Sequence, residues 1–348
     1  MSTRHLLVDL QSSSPHLRLP ESDASQLHAR APRGWRVTVV GSTAVTAANG
    51  TSQSSDETLA AVADAEVYVG YGITPPVLAA APNLKWAHSA SAGIGGSITP
   101  ALIERVRHGL HFTNSAGAYG DVMAETVLAG VMHFVRSLDV VVRQQAVPVW
   151  NQHVIANGPL AAHELSEHRV LVIGAGGIGS CVGRLFTALG CVCTGIRRRP
   201  ELGPPDGFAR VEGPDALENE LSQAEIVVLA APDTPGTHSL LNAARLALLP
   251  TGAIVVNVAR GALVDEMALV EALDHGKLRG AVLDVFQTEP LPVDHPLWRH
   301  PKVLVIPHVS GVSPRRQWAR VLGVFEDNWR RYVAGKPLRN IVDLSAGY

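Results

Sequence analysis

Val170-Leu-Val-Ile-Gly-Ala-Gly-Gly-Ile-Gly179 is the stretch on which the reading of this chain turns. An apolar run, Val170 to Ile173, meets the turn Gly174, Ala175, Gly176, Gly177, Ile178, Gly179. Beyond it Val182, Leu185, Phe186 and Leu189 recur at helical spacing. Strand, glycine turn and helix in that order are the context of a dinucleotide fingerprint. Gly174 permits the tight turn, Gly176 lets backbone approach a pyrophosphate, and Gly179 lets the helix pack close to the strand. The pyrophosphate would rest on the unpaired N–H groups at the helix N-terminus. A glycine turn that binds no nucleotide is the plainer alternative. The strand before it and the helix after it favour the nucleotide.

Downstream, strands are expected at 191–196, 208–212, 225–231, 253–258, 280–284 and 303–306, the longest apolar runs reading as buried parallel strands. Asp265 can cap a helix that runs to His275. Upstream, strands at 5–10, 36–40, 66–69, 84–88 and 111–113 alternate with helices at 21–30 (capped by Ser22 or Asp23), 57–65, 75–82 and 100–109. That alternation predicts a second parallel sheet, without a fingerprint. Residues 48–56 read as an exposed loop. Residues 119–145 read as one long helix with an apolar face running from Val122 to Leu138. Residues 148–168 read as an irregular excursion. An exposed Trp150 there would suit a subunit interface, and a Trp tucked into its own domain is the alternative. Pro314 starts a final amphipathic helix to Tyr332.

The 348 residues suffice for two domains. A net charge of −2 gives no electrostatic reason for a nucleic-acid partner or an anionic membrane. No apolar run is long enough to span a bilayer, and the N-terminus lacks an apolar leader. Cys181, Cys191 and Cys193 are too few for a disulfide framework and complete no metal set, so they read as buried thiols. The expectation is a cytoplasmic protein without a metal. Asn49-Gly-Thr51 fits a glycosylation sequon but reads as a loop.

Three polar residues follow strands of the second sheet: Arg260, Glu289 and His308. All should sit at its carboxyl edge, beside the nicotinamide end of a bound cofactor. Together they suit reduction of a 2-keto acid. The Arg fork holds a carboxylate or polarises a carbonyl. The His protonates the carbonyl oxygen as hydride reaches carbon. An acid bonded to that His favours its protonated form and fixes its orientation. Singly, each could be a surface charge, a turn acid or a structural histidine; their joint occurrence at strand ends carries the signal. The small residues 89–97 after the fourth strand are a candidate anion-binding loop, a plain flexible turn being the alternative.

Gly174–Gly179, Asn257-Val-Ala-Arg-Gly261, Leu283-Asp-Val-Phe-Gln-Thr-Glu-Pro290 and Pro307-His-Val-Ser-Gly311 resemble, in order and spacing, the motifs of the D-2-hydroxyacid dehydrogenase family. Thr113-Asn-Ser-Ala-Gly117 and Pro290-Leu-Pro-Val-Asp-His-Pro-Leu-Trp298 add to the resemblance, which is weakest over residues 1–35. It implies an α/β fold of two Rossmann-like domains with parallel sheets, the cofactor domain (119–313) inserted in a flavodoxin-like substrate domain (1–118 plus 314–348). It implies Arg260, Glu289 and His308 as the catalytic set and Asp284 on the nicotinamide amide. Ala231, Pro232, Thr237, Val258, Ala259, Arg260, His308 and Gly311 would line the cofactor. The amides of Ala92, Gly93 and Ile94 would grip the substrate carboxylate, and Arg260 and His308 would also bind the substrate. It also implies a homodimer formed through the cofactor domains.

The chain departs from the common pattern at one informative point. NAD enzymes carry an acid about twenty residues past the glycines to bond the ribose 2′-OH. Here Ile196-Arg-Arg-Arg-Pro200 stands there, so Arg197 and Arg198 would bind the 2′-phosphate of NADP, with NAD still possible. The expected activity is an NADP-preferring reductase of small 2-keto acids, similar to glyoxylate/hydroxypyruvate reductases. The alternatives are a phosphite dehydrogenase-like enzyme, which keeps the Arg-Glu-His set, and a dinucleotide-sensing corepressor-like binding protein, for which the chain offers no long tail or low-complexity segment. The chain ends soon after the last helix, so a further regulatory domain is not expected. The sequence does not select the keto acid.

Overall fold

Runs of Val, Leu and Ile, buried on both faces, make the inner strands of both parallel sheets of this protein, as parallel strands covered by helices require. The structure, a computed structural model, describes residues 3–42, 45–46, 52–158 and 160–344. Its chain divides into two α/β units: Met1–Tyr119 with Val312–Tyr348, and Gly120–Gly311, inserted between them.

The first unit contains β1 (Arg4–Asp9), β2 (Trp35–Val39), β3 (Val45–Thr46), β4 (Ser52–Gln53), β5 (Val67–Gly70), β6 (Trp86–Ser89) and β7 (His111–Asn114). Five of these form a parallel sheet of order β2-β1-β5-β6-β7, while β3 and β4 pair antiparallel on their own. The loop expected at 48–56 is therefore corrected at Ser52–Gln53; residues 47–51, and with them the sequon, lie outside the described residues. The helix Glu21–Ala29 begins after Pro20, not at Ser22 or Asp23. That leaves Glu21 and Asp23 in its first turn, where negative charge meets the positive end of the helix dipole. The final helix, Gln317–Val333, starts three residues after Pro314. It lays Trp318, Val321, Leu322, Phe325 and Trp329 on Leu6, Val8, Val67, Val69 and Trp86. Phe325 stacks on Trp86 with ring centroids 5.3 Å apart.

Beneath the 89–97 loop, His88 is fully buried, with Nδ1 2.7 Å from Thr113 Oγ1 and Nε2 3.1 Å from Ser115 Oγ. Burial pushes its pKa from 6.5 down to about 3. The unfolded ring takes a proton near 6.5, the folded ring only near 3, so between those values the unfolded chain binds the extra proton and acid favours unfolding. This one group is expected to cost about 3 kcal/mol between pH 6.5 and 4. Urea unfolding of wild type and His88→Asn at both pH values checks it; equal pH dependence in the two proteins would contradict the assignment.

The second unit contains β8 (Arg169–Ile173), β9 (Val192–Ile196), β10 (Arg210–Glu212), β11 (Ile226–Leu229), β12 (Ala253–Asn257), β13 (Leu278–Leu283) and β14 (Val303–Val305). All are parallel, in the order β10-β9-β8-β11-β12-β13-β14. The order reverses between β8 and β11, which is where ligands bind in open α/β sheets. Asp265 caps the helix Glu266–Asp274 through the Ala268 N–H, as its sequence predicts. Cys191 and Cys193 are buried, and burial raises both thiols.

The single long helix expected over 119–145 is two helices, Gly120–Val135 and Leu138–Ala146. Ser137 between them is left-handed (φ 53°), and its hydroxyl donates to the Leu160 carbonyl at 2.7 Å. The break turns the buried Asp139 onto the Arg279 guanidinium, which grips it with two bonds of 2.6 and 3.1 Å. Arg143 adds a third at 3.1 Å. Leu138, expected on the apolar face, is 44 % exposed as a result. The excursion 148–168 contains a short helix, His153–Ala156, and leaves Trp150 89 % exposed.

Candidate active site

The glycine turn follows β8 and leads into the helix Gly177–Ala188. Gly174 has φ +102°, and a Cβ there would lie 2.5 Å from the Ala231 nitrogen, so both conformation and space demand glycine. A Cβ on Gly179 would lie 2.1 Å from the Gly174 carbonyl oxygen, which closes the helix onto the turn. Gly176, at the helix N-cap, faces open space. Closed packing at 174 and 179 with open backbone at 176 fits a bound pyrophosphate. The Gly174 and Ala175 N–H groups donate to the Ile196 carbonyl, tying the turn to the end of β9.

Arg197 and Arg198 follow Ile196 directly. The Arg197 N–H donates to the Glu212 carbonyl at 3.0 Å and its guanidinium to the Gly203 carbonyl at 3.0 Å, while Arg198 is exposed. Ala231 and Pro232 follow β11; Thr237 donates its hydroxyl to the Pro232 carbonyl at 2.7 Å and accepts the Thr234 N–H at 2.8 Å, which folds the 232–237 loop back on itself.

Arg260, Glu289 and His308 follow three neighbouring strands. After β12, Val258 and Ala259 are buried and Arg260 is extended. Asn257, 1 % exposed, shapes this turn: its side chain accepts the Ala259 N–H at 3.1 Å and donates to the Arg260 carbonyl at 2.9 Å. Burial pulls the Arg260 guanidinium below its usual basicity, opposed by the charges of Glu289 and Asp233. The residue after it, Gly261, lies so close to the Phe286–Gln287 backbone that a Cβ would sit 1.9 Å from the Phe286 carbonyl carbon.

Glu289 Oε2 is 2.7 Å from His308 Nδ1, and its Oε1 accepts the Phe286 N–H at 3.0 Å. Burial raises the Glu289 carboxyl, but the bonds from His308 and Phe286 and the charges of His308 and Arg260 outweigh it and leave it below the usual carboxylate range. His308 is left-handed (φ 53°), and its N–H donates to the Asp284 carbonyl at 2.9 Å. The Asp284 side chain, 1 % exposed, accepts the Val309 and Ser310 N–H groups at 2.8 and 3.0 Å and the Ser310 hydroxyl. Asp284, expected on the nicotinamide amide, thus uses both oxygens to hold the turn that leads from His308 to Gly311. Sequence reading missed Asn257 as a positioning residue; its place at the end of β12, just before the Val-Ala-Arg turn, was the available signal.

In the first unit, Ala92, Gly93 and Ile94 follow β6. The Asn114 side chain donates to the Ala92 carbonyl at 2.8 Å, and the three amides make no hydrogen bond among the described residues. Among the described residues no cluster could hold a metal ion, and no helix is long and apolar enough to cross a membrane.

The arrangement places a proton carrier, its carboxylate partner and a fixed cation at the carboxyl edge of a sheet that also carries a dinucleotide turn. Residues 128–310 match the model of the D-isomer specific 2-hydroxyacid dehydrogenase, NAD binding domain. The chain is 34 % identical over 226 residues to glyoxylate/hydroxypyruvate reductase A of Salmonella typhi, covering 65 % of this chain and 69 % of that protein. It is similar to a D-isomer specific 2-hydroxyacid dehydrogenase from Xanthobacter autotrophicus, solved with NADPH and MES (TM-score 0.77, 30 % identity, 100 % of both chains). It is also similar to the NADPH-dependent glyoxylate/hydroxypyruvate reductase of Sinorhizobium meliloti, solved with NADP and sulfate (TM-score 0.78, 25 % identity, 99 % and 100 % of the two chains). This chain is therefore a member of the D-isomer specific 2-hydroxyacid dehydrogenase family.

Proposed function

We propose that the protein reduces small 2-keto acids to D-2-hydroxy acids with NADPH. The observation that carries this reading is the 2.7 Å His308–Glu289 pair, held next to Arg260 on the sheet that bears the glycine turn. A bound reduced nicotinamide would supply the hydride. His308 delivers the proton to the carbonyl oxygen from the ring nitrogen that Glu289 does not hold. Glu289, an anion, keeps that ring oriented. Arg260 holds the substrate carboxylate or polarises its carbonyl. Residues 1–119 and 312–348 are proposed as the substrate domain, with the amides of Ala92, Gly93 and Ile94 gripping a carboxylate.

The absence of an acid at the end of β9, with Arg197 and Arg198 in its place, supports NADP over NAD. The relatives solved with NADPH and NADP support the same preference. We expect NADPH oxidation, followed at 340 nm with glyoxylate, hydroxypyruvate, pyruvate and phenylpyruvate, to exceed NADH oxidation by about ten-fold or more in kcat/KM, and Arg197→Ala with Arg198→Ala to erase most of that difference. Turnover favouring NADH would keep the reductase and reject the arginine argument. No turnover with any keto acid would move phosphite oxidation ahead.

Self-association through the second unit belongs to the same reading. Val141, Val142, Val147, Val149 and Trp150 are all exposed on Leu138–Ala146 and the segment after it. The Asp139–Arg279 pair fixes which side of that helix faces out. Exposed apolar side chains grouped on one segment in this way support an interface there. We expect the wild type to sediment as a dimer and Val142→Asp as a monomer; a monomeric wild type would reject the proposal.

A further inference from the structure

Behind the His308–Glu289 pair lies a second histidine–carboxylate pair that the proposed reaction leaves unused. Glu266, at the start of the helix Glu266–Asp274, is only 8 % exposed. Its Oε1 accepts the Gln287 N–H at 2.7 Å. Its Oε2 lies 3.4 Å from Nε2 of His295. His295 is oriented in turn by the Leu297 N–H, which donates to its Nδ1 and so leaves the proton on Nε2, facing Glu266. Gln287 is anchored a second time, its side-chain amide donating to the Val264 carbonyl at 2.7 Å.

Two consecutive amides of one loop thus point at two different carboxylates. The Phe286 N–H holds Glu289 Oε1 at 3.0 Å, and the Gln287 N–H is held by Glu266. The tight seat of Gly261 on the same two residues joins this loop to the turn that carries Arg260. Among the described residues one Asp9 oxygen and two Arg320 nitrogens are buried without a hydrogen-bond partner, and the cavity lined by Arg169, Thr194, Arg210 and Glu220 holds the Arg210–Glu220 ion pair, already bonded.

We propose that Glu266, braced by His295, is a positioning residue: by pinning the Gln287 amide it sets the orientation of the Phe286 amide, and through it the angle at which Glu289 meets His308. The proposal rests on the reductase reading for its kinetic consequence and on geometry alone for its structural one. Glu266 touches no reacting atom. Removing its charge loosens the hold on the loop while every side chain that faces the substrate is retained. A shift of a fraction of an ångström at a proton donor suffices to slow a reaction strongly.

The test uses the full chain with Glu266→Gln and His295→Asn. With NADPH and the best keto acid, kcat is expected to fall about ten-fold and KM to stay within about three-fold. In a Glu289→Gln background, Glu266→Gln should cost little more, because the residue acts through Glu289. Wild-type kcat in both variants, or an undiminished loss in the Glu289→Gln background, overturns the proposal. Hydrogen exchange of peptides spanning 284–290 is a second readout that needs no turnover. Faster exchange in Glu266→Gln is expected; unchanged exchange overturns the proposal, whatever the wild type reduces. Wild type inert toward every keto acid, with exchange in the variant accelerated, would reject the reductase reading and leave the positioning role standing.

Discussion

Replacing Arg260 by Lys is expected to lower kcat/KM for keto-acid reduction by about a thousand-fold while leaving NADPH affinity within about two-fold. Both residues are cations, so the loss tests geometry and not charge alone. The Arg260 backbone is fixed by the two Asn257 bonds and by the close seat of Gly261, and its guanidinium Nη1 already donates to the Ala259 carbonyl at 2.6 Å. With one edge of the planar fork committed to the protein, the other can face a planar carboxylate with two parallel N–H groups. An ammonium is a point donor on a flexible stem and cannot keep both sets of bonds. Burial also lowers the basicity of the group at this position, with only Glu289 and Asp233 opposing it. An arginine tolerates that and stays charged, whereas a buried lysine sheds its proton far more readily. Steady-state kinetics over a range of keto-acid concentrations, with the cofactor Kd taken from nicotinamide fluorescence, checks the expectation. A variant within about five-fold of wild type would remove Arg260 from the reacting centre.

Substituting His308 by Gln is expected to lower kcat about a thousand-fold, with a smaller change in KM. Glutamine keeps a hydrogen-bonding group of similar reach toward Glu289 but carries no transferable proton. In the wild type, reduction needs the protonated ring, so its rate should fade as pH rises and the ring loses its proton. The reverse oxidation needs the neutral ring and should fade on the acid side. Glu289 stays ionised through this range, because the bonds from His308 and Phe286 and the nearby charges outweigh the burial that raises it. The pH dependence therefore reports the ring and not its partner. Rates of both directions from pH 5 to 10, in wild type and in His308→Gln, decide the matter. A flat wild-type profile in the direction of reduction would exclude the ring as proton donor.

Much of this site is legible in the sequence because its residues answer to local rules. Gly174 needs a positive φ, Gly179 lies against a carbonyl, and Gly176 faces open space; each demand arises within a few residues of the glycine itself. Arg260, Glu289 and His308 follow strands, and in a parallel sheet every strand end reaches the same edge. What could not be read depends on partners distant in sequence. Nothing in Val135-Arg-Ser-Leu-Asp139 breaks a helical pattern; the bonds that hold the break reach Arg279, which comes 140 residues after Asp139. Asp284 is expected on the nicotinamide amide, and only the fold shows that it also accepts the 309–310 amides. Glu266 reads as an ordinary first-turn acid of a helix, and the backbone amide it holds lies in another loop.

The division of the chain also sets an order of events during synthesis. The first sheet is complete once β7 has emerged, yet the face formed by Leu6, Val8, Val67, Val69 and Trp86 is covered by Gln317–Val333. All of Gly120–Gly311 must leave the ribosome before that cover arrives. In the meantime the nascent chain carries an open apolar sheet, a surface that chaperones bind and that promotes aggregation. The inserted unit, continuous in sequence, can fold first and stand as a finished body while the earlier one waits. Slow translation past residue 311 would lengthen that exposure, so the yield of folded protein is tied to the pace at which the last helix is made.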